Sequence, residues 1–163
     1  MRELLKKVYL AGPATGRRAD AALLARLGAG AVFVAFGVGK FASHASEVGS
    51  FRTYGLPAPE AFVYAIGVVE IVAGVVLIAG LATRLASLVL SGDMVGAIIV
   101  SGIGQGELIS LTVAPGQLIA MLFLLWTGPG RFAIDRRLDA QQPTLGAAGP
   151  DVERNATRGR LKG

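Results

Sequence analysis

Long apolar stretches, broken by short polar or Gly/Pro-rich joints, set the rhythm of this chain. Four of them, 21–43, 61–81, 85–104 and 108–127, have the length of a membrane span. A helix rises about 1.5 Å per residue, so about 20 apolar residues cross a hydrocarbon core of roughly 30 Å. The pattern predicts four transmembrane helices, and hence an all-α integral membrane four-helix bundle. Inside the first span, Arg26, Gly30, Phe33, Gly37 and Lys40 recur at alternating spacings of four and three, which keeps them on one helix face. Glycines on that face let a neighbouring helix approach closely, the usual basis of packing within lipid.

The joints are informative too. Residues 43–59, SHASEVGSFRTYGLPAP, form the longest connection and read as a loop carrying His44, Glu47 and Arg52. GLATR joins the second and third spans, and GIGQGE reads as a flexible turn between the third and fourth. Pro115 falls in the first half of the fourth span, where it predicts a kink or a late start. Before the first span, residues 1–20 contain Gly12, Pro13 and Gly16 and read as an arm without a long helix. Its apolar patch is shorter than the core of a secretory signal. After the fourth span the chain turns polar and loses periodicity, which predicts a disordered tail over 139–163. The folded domain is thus 21–138.

Composition supports the membrane reading. The chain is 53% hydrophobic and 17% charged, with a mean hydropathy of +0.58. The net charge of +5 is sharply placed: only Lys40 and Arg52 of its 16 basic residues fall on one side of a four-pass topology. Basic residues beside a span resist translocation, so both termini are expected in the cytoplasm. The basic balance is then a topology signal, and nothing in it resembles a base-reading surface for nucleic acid. The absence of cysteine removes disulfides, thiol nucleophiles and any dithiol relay carried by this chain. One histidine, His44, makes a poor metal site by itself, and no hydrolase triad or P-loop pattern is present.

Two acidic residues stand out against this background. Glu70 lies near the centre of the second span and Asp93 at similar depth in the third. A carboxylate at mid-span costs roughly 2.5–3.5 kcal/mol on insertion scales, and such residues usually face the bundle interior or a wet cavity. Both have small residues as helical neighbours, which puts them on close-packing faces: Gly67, Ala73 and Gly74 for Glu70, and Ala86, Gly96 and Ala97 for Asp93, beside a Gly92-x-x-x-Gly96 pair. The bland alternative is that they only fix helix register by pairing with interior cations. Depth along the helices suggests an Arg26–Asp93 pair and a Lys40–Glu70 pair bracketing a polar cavity. The competing reading has Arg26 and Lys40 snorkelling to the two headgroup regions.

Taken together, these segments resemble the DoxX family of small four-helix bacterial membrane proteins. The likeness runs over residues 24–138. It begins with LARLGAGAVFVAFGVGKF, continues through GLPAPEAF and Glu70-x-x-x-Gly74 into GLATR, then Met94, and closes on GPGRFAID. In the closing motif Phe132, Ala133 and Ile134 depart from the family pattern. The resemblance implies a bacterial inner (plasma) membrane protein near redox chemistry, since relatives are linked with quinone-reducing sulfur oxidation and with complexes that manage thiol and oxidative stress. The expected function is an accessory or quinone-interacting subunit working with a redox partner protein. Quinone is the expected cofactor, Glu70 and Asp93 the candidate catalytic carboxylates, and Arg26, Lys40 and Arg84 the binding residues. Two alternatives stay open: a small proton-coupled carrier, which with four helices requires a homo-oligomer, and a non-catalytic scaffold.

Overall fold

The computed structural model of the protein describes residues 16–135. The arm before residue 16 and the tail expected over 139–163 lie outside the described residues. Within them the chain forms helices Arg17–Ala42 (α1), His44–Thr53 (α2), Pro59–Ala79 (α3), Thr83–Ala97 (α4) and Leu108–Thr127 (α5). A π-helical segment, Ile98–Ile103, prolongs α4. Among the described residues four helices are long and apolar enough to cross a membrane: α1, α3, α4 with its π extension, and α5. They agree with the four expected spans, although α1 starts earlier, at Arg17. Its first turn carries Asp20, well placed against the helix dipole, and its first two turns bury Ala19 and Ala22.

Short connections make sequential helices antiparallel, and the four pack as a ring in which α1 lies on α3 and α4 on α5, with looser seams between the two pairs. Glycines draw the first pair together. A Cβ on Gly30 would fall 2.9 Å from the carbonyl oxygen of Gly74, and one on Gly37 would fall 2.8 Å from that of Gly67. Nothing larger than hydrogen fits there, as the one-face spacing of α1 implied.

Two joints differ from expectation. The connection over 43–59 contains a helix, α2, with Glu47 in its first turn and Arg52 in its last, both favourable to the dipole. Its single buried residue is Phe51, too sparse a signal for a periodicity to reveal. At the fourth span, α5 does not start late. It begins at Leu108 after Glu107 and runs through Pro115. Pro115 has no N–H, so the carbonyl of Leu111 loses its helical donor.

The end of the bundle opposite α2 is tightly closed. Gly80 ends α3 with φ +69°, and the N–H groups of Gly80 and Leu81 return to Leu77 and Val76 at 3.0 and 3.1 Å. Ala82 then takes φ +45°, a strained conformation for a residue with a Cβ. The Asp135 carboxylate holds it there, accepting from the N–H of Ala82 at 2.7 Å and of Thr83 at 3.1 Å. The closing motif thus caps α4 from a distance in sequence. This half is also densely packed, with Ala22, Leu77, Leu90, Met121 and Leu124 fully buried. The half beneath α2 is hollow.

Candidate functional site

A half-open cavity of about 480 Å³ occupies that hollow half. Each span contributes one face at helical spacing: Val32, Phe33, Phe36 and Lys40 from α1; Phe62, Ile66 and Glu70 from α3; Gly92, Asp93, Gly96, Ala97 and Val100 from α4 and its extension; Ile109, Ser110, Val113, Ala114 and Gln117 from α5. Phe51, Tyr54 and Leu56, from α2 and the turn after it, cover the end. The volume lies in the range of small-molecule sites, and the apolar lining with a few convergent polar groups matches their usual chemistry.

The polar groups fall in two clusters. In the deeper one, Lys40 Nζ lies 3.1 Å from Oε1 and 2.9 Å from Oε2 of Glu70. Glu70 is 3% exposed and Lys40 14%, so this is a buried ion pair and neither partner snorkels. Asp93 lies close enough to interact electrostatically with both, and its Oδ2 has no hydrogen-bond partner among the described residues. Counted from the α2-side ends of their helices, Glu70, Asp93 and Gln117 sit about 14–17 Å deep at 1.5 Å per residue. That is near the mid-plane of a hydrocarbon core about 30 Å thick. Gln117 is 8% exposed, and no described residue hydrogen-bonds its amide. Its amide atoms stay open to the cavity, so their partner is whatever enters that space.

The second cluster lies at the α2 end. Glu107 Oε2 accepts from Ser110 Oγ at 2.7 Å and also from Ser101 Oγ, and the two serine hydroxyls contact each other. Ser101 belongs to the π segment, whose extra residue per turn re-aims it toward the loop. The Tyr54 hydroxyl joins the same network. Burial pushes the Glu107 carboxyl upward, but hydrogen bonds from Ser101, Ser110 and Tyr54 outweigh it and hold the group below its ordinary value. The Tyr54 phenol is pushed up by its burial and then by the Glu107 charge.

The five residues singled out from sequence separate into two groups. Glu70, Asp93 and Lys40 meet on the cavity wall, and the expected Lys40–Glu70 pair is formed. The expected Arg26–Asp93 pair is not. Arg26, 2% exposed, donates from Nη1 to the Pro129 carbonyl at 2.9 Å at the closed end. Lys40 lies about 21 Å farther along the same helix. The reason is the GPG turn, whose free carbonyl meets the guanidinium before Asp93 can. Arg84 also lies at that turn, beside Gly128. Gly92 and Gly96 carry a second correction: they pack against nothing, since a Cβ on either would meet open space. They enlarge the cavity and do not join helices.

Sequence reasoning missed Gln117, Ser101, Ser110 and Tyr54. Gln117 left a readable signal, being the one amide side chain within the four spans and one turn-pair from Ser110 on the same helix face. Tyr54 left none, because its place depends on the helix hidden in the α1–α3 connection.

The chain has relatives among known proteins. The DoxX family profile matches residues 21–102, a stretch that includes Arg26, Lys40, Glu70, Arg84 and Asp93. The uncharacterized membrane protein Rv3486 of Mycobacterium tuberculosis (strain ATCC 25618 / H37Rv) is 36% identical over 137 residues, covering 75% of this chain and 83% of its own. No solved structure matches the chain.

Proposed function

The chain belongs to the DoxX family of membrane proteins, and from that premise we propose that it is the quinone-binding subunit of a membrane redox system. The observation that carries this reading is the Lys40–Glu70–Asp93 cluster on the wall of an apolar, half-open cavity at mid-membrane depth. The residues present fit such a carrier. Phe36, Phe62, Ile109 and Val113 line the cavity and are each more than a third exposed, an accessible apolar wall of the kind an isoprenoid tail requires. Inside, an ammonium, two carboxyl groups and an amide face a space large enough for a ring.

When bound, a quinone supplies two-electron, two-proton redox chemistry. Lys40 donates a hydrogen bond to an acceptor oxygen and keeps the carboxyl cluster from accumulating charge. Asp93, with one oxygen unpartnered, holds or takes the proton, and Glu70 passes it toward the α2 end. In this reading a partner protein supplies the electrons, and the chain, having no cysteine, adds no thiol relay of its own. The charge bias along the chain supports a closed end on the cytoplasmic side of a bacterial inner membrane, with the cavity toward the opposite face. The test is equilibrium binding of decylubiquinone to the purified protein in nanodiscs, with quinol turnover followed in membranes. Glu70→Gln is expected to weaken binding about tenfold with helical content unchanged. A wild-type protein that neither binds the quinone nor alters turnover overturns the reading.

A second reading, a proton-coupled carrier, is favoured by the excess of acid in the lining: Glu47, Glu70, Asp93 and Glu107 against Lys40 alone. Such a site exchanges protons for a cationic solute. Proteoliposomes in which Glu70→Gln abolishes proton-driven uptake of an organic amine would select it over the first.

A further inference from the structure

Gln117 is a polar group of the cavity with no hydrogen-bond partner among the described residues. It sits on the cavity face of α5 with Ser110, Val113 and Ala114, at the level of Glu70 and Asp93. It is 8% exposed, yet no described residue hydrogen-bonds its amide, and neither amide atom is sealed from the cavity. Interior amides find partners because leaving one unpaired inside a membrane protein is costly. Here the partner position is open space in the cavity.

We infer that Gln117 is a ligand-contacting residue that recognises both oxidation states of a carbonyl/hydroxyl carrier. The inference rests on the quinone reading above and assigns its recognition element. The chemistry follows from the donor inventory. An ammonium such as Lys40 only donates, and an ionised carboxylate only accepts. A primary amide does both: its Nε2 donates to a carbonyl oxygen and its Oε1 accepts from a hydroxyl. At this depth it is the one side chain of the lining that meets the oxidised and the reduced head equally without changing its own protonation. A carrier that must enter in one state and leave in the other needs such a contact, because a site selective for one state would trap it.

The test measures binding of decylubiquinone and decylubiquinol to the full chain in nanodiscs, together with thermal unfolding without ligand. Gln117→Met keeps the volume and removes both hydrogen-bonding atoms. It is expected to weaken both forms about tenfold or more without lowering the unfolding midpoint of the ligand-free protein, since the amide bonds to no described residue. A merely structural glutamine would lower that midpoint. Gln117→Glu, an acceptor when ionised, is expected to lose the quinone while keeping the quinol. Should Gln117→Met fail to fold, Gln117→Asn, which withdraws the amide by one methylene, replaces it with the same expected loss of both forms. If wild type binds both forms and the folded variants bind them within about twofold, the inference falls and the quinone reading stands. If wild type binds neither form, the quinone reading falls and takes the inference with it.

Discussion

Breaking the Lys40–Glu70 pair should show an asymmetry that only this geometry gives. Contacts of 2.9 and 3.1 Å between Nζ and the two carboxylate oxygens give a gross attraction of about 5 kcal/mol at an effective dielectric of about 20. Desolvation of two groups that are 14% and 3% exposed opposes it, so the coupling should be about 2–4 kcal/mol. The singles should not be equal. Lys40→Met leaves Glu70 and Asp93 facing each other without a cation and should cost about 3–5 kcal/mol. Glu70→Gln leaves Lys40 with Asp93 still in electrostatic range and should cost clearly less. The double variant should recover much of the loss, because replacing a buried pair outright is often close to neutral. Unfolding of all four proteins in mild detergent, titrated with denaturing detergent, gives the cycle. A coupling under about 0.5 kcal/mol, the level of an exposed pair, or equal costs for the two singles, would refute the buried cluster.

Glycines should divide by place. Gly30→Ala pushes a Cβ to within 2.9 Å of a backbone oxygen and should cost about 1–3 kcal/mol in the same unfolding assay. Gly92→Ala meets open space and should be neutral or stabilising by up to about 1 kcal/mol, while narrowing the cavity and weakening quinone binding. At the α2 end, Glu107 has a folded pKa below its ordinary 4.5. Its contribution is therefore full above that value and is lost as pH falls through the depressed one. Amide exchange in α2 should rise in that acid window, and Glu107→Gln should remove the pH-dependent part. Identical profiles for the two proteins would show that the Tyr54–Glu107 network does not hold α2.

Much of this architecture was legible before any coordinates. Span length and hydropathy located four helices, because lipid forces every backbone group to be satisfied within the helix and leaves little choice of fold. The glycine face of α1 and the Lys40–Glu70 pair were readable for a related reason: side chains at fixed helical spacing and matched depth have few partners. The Arg26–Asp93 pair failed where depth alone was used. Pro129, at the far end of the chain, brings a carbonyl to Arg26, and no one-dimensional count of depth contains that turn. The same holds for α2 and Tyr54, positioned by tertiary contact and not by periodicity. Gly92 and Gly96 show the limit most clearly. A small-x-x-x-small spacing reads as a packing face, yet the same spacing makes a void when the opposite helix stands off.

The solid and hollow halves together bear on what the cavity can do. Leu77, Leu90, Met121 and Leu124 are fully buried between it and the GPG end, and Arg26 and Asp135 tie that end to Pro129, Ala82 and Thr83. A solute in the cavity therefore has no open path to the closed face. Carriage across the membrane would require this plug to come apart, with the loss of a buried guanidinium contact and of the cap on a strained Ala82. Lateral exchange with lipid requires much less. Phe36, Phe62, Ile109 and Val113 in the cavity wall are already exposed, and Gly92 and Gly96 leave open space in the same wall. A site closed toward one face, with exposed apolar side chains in its wall and polar groups both at its depth and at the α2 end, suits an amphipathic ligand that arrives and leaves through the bilayer. That is the physical reason for preferring a lipid-soluble carrier to a transported solute.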